Sequence, residues 1–106
     1  MKRTVVLDIE TKNSFQEVGG RDNIGALEIS LVGVYDYGEK VYRAYKEDQL
    51  SELEELLEKT DELIGFNIKA FDIPVLESYI PKEVLSRISV MDIMDDVERF
   101  LGFRIG

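Results

Sequence analysis

The sequence predicts an α/β fold on a mixed sheet, with antiparallel strands early and parallel strands late. Three observations carry this. An apolar, β-branched run occupies residues 4–9. Two further strand-like runs follow, separated by a four-residue turn. From Asp48 onward, helical and strand-like periodicities alternate.

Residues 4–9 break the apolar alternation only at their centre, the pattern of a central strand covered on both faces. A polar, glycine-containing stretch follows over residues 11–25, and residues 29–35 read as strand two. Tyr37, Gly38, Glu39 and Lys40 supply a turn, and residues 41–45 return as strand three, so the short connection implies an antiparallel hairpin. Asp48 is placed to cap a helix in which Leu50, Leu53, Leu56 and Leu57 recur at helical spacing, and these leucines are expected in the core. Residues 62–66 form a fourth strand. Asp72, Ile73 and Pro74 begin another helix, with proline in the first turn, where no backbone donor is missed. Pro81 is expected to close that helix. Residues 88–90 follow as strand five and residues 93–100 as the start of a third helix.

At 106 residues the chain fits one domain. With 44% hydrophobic and 33% charged residues it has the composition of a globular protein rather than a disordered one. It contains no cysteine and no histidine, which removes disulfides, Cys/His zinc sites, thiol nucleophiles and imidazole chemistry. Any catalysis must rest on carboxylates, lysine, tyrosine or hydroxyls. The amino terminus starts like a signal peptide, but Asp8 ends the apolar run, and no segment is long enough to span a membrane, so a cytoplasmic location is expected. A net charge of −9 argues against broad binding to phosphate backbones. Part of that charge lies on the helix over residues 47–59. Carboxylates clustered elsewhere would bind metal first, and a metal reverses the local field that a phosphate meets.

Asp8 and Glu10 sit two apart near the end of strand one, so their side chains leave the same face and can reach one site. Alone, such a pair more often marks a strand end that simply faces water. Asp72 adds a third carboxylate, at a helix start that follows strand four, where capping is its ordinary use.

The run Leu7, Asp8, Ile9, Glu10, Thr11 together with Asn67, Phe71, Asp72 and Pro74 resembles the first two exonuclease motifs of the DEDD superfamily. The similarity is closest to ribonuclease H-like domains related to the proofreading exonuclease of family B DNA polymerases, including stand-alone and helicase-linked versions. Residues 15–20, 31–35 and 90–94 also look like that subgroup. The resemblance implies a ribonuclease H-like domain over residues 1–106, incomplete at its carboxyl end, because the third motif, Tyr-x-x-x-Asp or its histidine equivalent, is absent.

That resemblance implies a metal-dependent 3′–5′ exonuclease acting on a single-stranded or 3′-end DNA or RNA substrate, with helicase or polymerase association. Asp8, Glu10 and Asp72 would be the catalytic metal ligands for two Mg²⁺ or Mn²⁺ ions, with Asp8 bridging, Glu10 on the water-activating side and Asp72 nearer the leaving group. Hard oxygen donors suit those ions. Thr11, Asn67, Phe71 and Lys69 are candidate contacts to the terminal nucleotide, although a core phenylalanine, a turn asparagine and a solvated lysine are their ordinary uses. Tyr35, Tyr37, Tyr42 and Tyr45 can stack on bases or pack across the hairpin. Asp92 matches a structural aspartate of the subgroup rather than the missing ligand. The competing expectation is a catalytically impaired ribonuclease H-like module kept for nucleic-acid binding or assembly.

Overall fold

In the computed structural model, which describes residues 2–104, a five-stranded mixed sheet is assembled around the first strand. The strands are β1 (Thr4–Thr11), β2 (Ile29–Asp36), β3 (Val41–Lys46), β4 (Glu62–Gly65) and β5 (Ser89–Asp92). Their order is β3-β2-β1-β4-β5. β1 pairs antiparallel with β2 and parallel with β4, and β4 pairs parallel with β5. The expected layout, with strand one central between an antiparallel hairpin and a parallel pair, is the one observed.

The helices are α1 (Leu50–Glu58), α2 (Ile73–Leu76), α3 (Lys82–Ser86) and α4 (Ile93–Leu101). Leu50, Leu53, Leu56 and Leu57 of α1 are buried, as their spacing predicts. They join Val5, Leu7 and Ile9 of β1, Val32 and Val34 of β2, and Val75 and Leu76 of α2 in one core. Burying each such side chain stabilises the fold by roughly 1.5–3 kcal/mol.

Four local expectations change. The core covers one face of β1 fully, whereas Thr4 and Val6 on the other face are half-buried and Asp8 and Glu10 are exposed. The apolar run therefore reflects a central position rather than equal cover on both faces. Asp48 does not cap α1: a 3-10 turn over Glu47–Gln49 leads into the helix, and Gln49 Oε1 accepts the Lys46 N–H at 3.0 Å. The helix expected from Asp72 starts earlier, because residues Ile68–Asp72 already coil as one wide π turn. Pro81 begins α3 rather than only ending the previous turn, and its carbonyl accepts the Val84 N–H at 3.0 Å. Proline's fixed φ and missing N–H suit a first turn, so Pro81 starts α3, whereas α2 has already ended at Leu76 and is not closed by the proline.

At the end of β1 away from Asp8, Arg3 grips Asp36, which is fully buried at the end of β2. Nη2 meets Oδ2 at 2.6 Å and Nε meets Oδ1 at 3.3 Å, and the Gly38 N–H adds a third bond at 2.9 Å. The guanidinium holds the Asp36 carboxyl below the usual carboxylate range.

Candidate active site

The alternation of β1 turns Asp8 and Glu10 to its accessible side while Ile9 between them points into the core. Next to them lies the turn that follows β4. Gly65 ends that strand against the backbone of β1: a Cβ there would stand 2.9 Å from the Leu7 carbonyl oxygen and 3.0 Å from the Ile68 side chain. Only glycine permits this approach without a shift. Asn67 then takes a left-handed conformation, φ 56° and ψ 29°, and the chain coils through Ile68–Asp72 back toward β1.

The coil delivers Asp72. Its side chain is 3% exposed, and Oδ2 accepts the Ile9 N–H at 3.0 Å, on the strand between Asp8 and Glu10. Asp72 forms no side-chain cap bond to α2, so the ordinary use of an aspartate at a helix start does not apply. Its pKa is raised to about 6: desolvation is the largest cause, the Ile9 hydrogen bond opposes it, and the negative charges of Asp8 and Asp92 add to it. A buried carboxylate penalised in this way gains from any cation placed beside it.

Asp92 anchors the other side of the turn. Its Oδ1 accepts the Asn67 N–H at 2.8 Å and the Met94 N–H at 3.0 Å, and Oδ2 accepts the Lys69 N–H at 3.1 Å. One carboxylate thus caps α4 and pins the turn carrying Asp72, the structural role anticipated for it. Asp95 receives the Lys69 ammonium at 3.4 Å, and Asp96 pairs with Arg99 at 3.3 Å.

The fold brings Asp8, Glu10 and Asp72 to one end of β1. Among the described residues, however, no three acidic side chains stand close enough together to hold one ion. The oxygen donors suit Mg²⁺ or Mn²⁺ in kind. Asp72, turned onto the Ile9 N–H, is not grouped with the other two for a shared ion.

Of the expected nucleotide contacts, Thr11 spends its hydroxyl on the Asn13 carbonyl at 2.9 Å. Asn67 serves the turn through its backbone. Lys69 reaches Asp95 with its side chain. Phe71 is half-buried and meets Phe15 edge to face at 5.8 Å. Among the tyrosines, Tyr45 is buried, and Tyr35 packs against Tyr37 of the turn at 4.8 Å between centroids and against Tyr42 at 4.6 Å, the latter being the cross-strand packing the hairpin favours. Sequence reasoning gave Phe15 no role of its own and passed over Arg21, whose guanidinium lies over the Phe15 ring at 4.8 Å from its centroid. A phenylalanine in an otherwise polar loop was the available signal.

A central strand ending in Asp-x-Glu, an antiparallel hairpin on one side and parallel strands on the other define a ribonuclease H-like framework. The sequence pattern of the RNase H superfamily matches residues 5–104, and the chain belongs to that superfamily. Solved structures share the fold at low identity. A family B DNA polymerase from the hyperthermophilic archaeon Pyrobaculum calidifontis matches with a TM-score of 0.69 and 16% identity over 94% of this chain. A zinc-bound form of an E. coli ExoI complex with single-stranded DNA matches at 0.69 and 12% over 95%, and E. coli Exonuclease I with a dA16 oligonucleotide at 0.67 and 12% over 95%. The chain spans 16% of the polymerase and 30% of each exonuclease chain. No curated protein sequence matches it.

Proposed function

We propose that this chain is a divalent-metal-dependent 3′–5′ exonuclease domain acting on single-stranded or 3′-end DNA or RNA. The observation that carries the reading is the buried Asp72 carboxylate bonded to the N–H of Ile9, between Asp8 and Glu10 on β1. Burial beside an exposed acidic pair penalises the ionised Asp72 carboxylate, and a cation placed there would offset that penalty. The fold shared with exonuclease and polymerase chains supports the same reading.

Asp8, Glu10 and Asp72, once drawn closer together than they stand in this structure, would hold Mg²⁺ or Mn²⁺, which when bound lowers the pKa of an attacking water and neutralises charge on the leaving oxygen. The protein's part is placement. β1 fixes the spacing of Asp8 and Glu10, the Ile9 N–H orients Asp72, and Asp92 holds the turn in register. Displacement of such groups by about 1 Å can cost about a hundredfold in rate.

A second reading has its own support. The lack of a three-acid grouping among the described residues fits a catalytically impaired ribonuclease H-like module that binds nucleic acid or a helicase or polymerase partner. Incubation of purified protein with a 5′-labelled oligonucleotide in Mg²⁺ or Mn²⁺ separates the two. Stepwise 3′ shortening that is lost in Asp8→Ala and Glu10→Ala supports the nuclease. Binding without shortening, unchanged in both variants, sinks the nuclease reading and leaves the module.

A further inference from the structure

We propose that Arg21, held over the Phe15 ring, is a substrate-contacting residue that binds a phosphodiester of the strand entering the Asp8, Glu10 and Asp72 site. The inference rests on the nucleic-acid reading above and names a cation that the acidic motifs do not supply.

An acidic chain that engages a polyanion needs cations placed locally, and most candidates beside this site are already spent. Lys12, in the loop leaving β1, pairs with Glu47 at 2.5 Å, and Lys69, in the turn before Asp72, pairs with Asp95 at 3.4 Å. Arg21 has no carboxylate within ion-pair distance among the described residues and is exposed. Its guanidinium is instead positioned by the ring of Phe15, an arrangement that restrains the side chain without neutralising its charge. A carboxylate partner would have cancelled the field that a phosphate meets; an aromatic partner leaves all the guanidinium donors available for it.

The support continues to the site. Phe15 meets Phe71 edge to face, and Phe71 is followed directly by Asp72. Arg21 opens the 3-10 segment Arg21–Ala26, which packs against α2, and Ser78 beyond α2 donates to the Gly25 carbonyl at 3.2 Å. The loop carrying Phe15 and Arg21 leaves β1 just after Glu10. Gly19 and Gly20, with φ of 94° and 120°, reverse the chain between the two residues, and the Gly20 N–H closes on the Phe15 carbonyl at 2.7 Å. Those conformations favour glycine, so the turn that sets guanidinium over ring is encoded locally.

The test is binding rather than turnover. Fluorescence anisotropy of the full chain with a labelled oligothymidylate of about a dozen nucleotides, in Ca²⁺ as an oxygen-seeking ion in place of Mg²⁺, is followed from low to moderate salt. Each phosphate contact on a single strand contributes about −0.7 to the slope of log K against log salt. Arg21→Gln is expected to flatten the slope by about 0.7 and weaken binding about three- to tenfold at low salt. Arg21→Lys should keep the slope while binding more weakly, and Phe15→Leu should weaken binding with all cations retained. Arg87→Gln, just ahead of β5 and so at the far end of the parallel strands, is the matched charge control and should lose less affinity than Arg21→Gln. Thermal melts identify any variant that fails to fold, in which case Arg21→Lys carries the comparison. Wild-type binding with Arg21→Gln indistinguishable from Arg87→Gln overturns the role of Arg21 and leaves the nuclease reading standing. Absence of wild-type binding at low salt overturns both.

Discussion

The Asp72 carboxylate accepts the Ile9 N–H at 3.0 Å, so a side chain 63 residues further along the chain is fastened to β1 between the two acids of the first motif. This bond joins the two motif-bearing segments, and its burial sets the charge state of Asp72.

With Asp72 titrating near 6 in the fold and at its ordinary value of 3.8 when unfolded, the native state binds the extra proton between those values. The contribution to stability is present below about pH 4 and is lost as pH rises through about 6, a penalty on the order of 3 kcal/mol at full ionisation. Asp72→Asn keeps an oxygen for the Ile9 N–H and removes the charge. It should melt above wild type at pH 8 and level with it near pH 4. Equal differences at both pH values would show that burial does not tax this carboxylate.

Divalent metal should act in the opposite sense. At pH 8, Mn²⁺ is expected to raise the melting temperature of wild type by a few degrees and that of Asp8→Ala by much less, while Asp8→Ala without metal melts at or slightly above wild type because one repelling charge is gone. Equal metal-induced shifts in both proteins would refute a site built on Asp8.

Breaking the Arg3–Asp36 pair should cost more than its surface counterparts. Arg3→Ala leaves the buried Asp36 carboxylate with the Gly38 N–H but no cation, and because the Arg3 side of the pair is partly open to water it is expected to destabilise by about 1–3 kcal/mol at neutral pH, measured by urea unfolding. Because Arg3 depresses the Asp36 pKa, this stabilisation is present above the ordinary carboxylate value and fades as pH falls through the lowered one. Lys2→Ala, which loses an exposed ammonium paired to Glu62, should cost about 0–1 kcal/mol.

Gly65→Ala places a methyl 2.9 Å from the Leu7 carbonyl and 3.0 Å from Ile68, and β4 must shift from β1 to admit it. A loss of about 1–3 kcal/mol is expected, with weaker Mn²⁺ binding because Asp72 moves with the strand. Gly25→Ala, whose nearest neighbour would be Ser78 Oγ at 3.7 Å, is the control and should be near neutral. Similar melts for the two variants would mean that the β1–β4 approach is not tight.

Near-neighbour chemistry made much of this protein legible from its sequence alone. The β-branched run at residues 4–9, the turn at residues 37–40 and the leucines of α1 act through contacts within a few residues or one layer, so period and turn chemistry specify them. The Asp-x-Glu spacing likewise places Asp8 and Glu10 on one face. The extent of cover on β1, the wide turn at Ile68–Asp72 and the second start at Pro81 depended on what packs alongside, which no local pattern encodes. Tertiary structure alone decided that Asp72 bonds to Ile9 and that Asp92 gathers three backbone N–H groups from two segments, whereas Arg21 rests on Phe15 through a turn closed within their own loop. The physical reason is the same for both carboxylates: an Asp side chain has several partners of similar strength in sequence, and only the close approach of segments distant along the chain desolvates one choice and makes it the stable one.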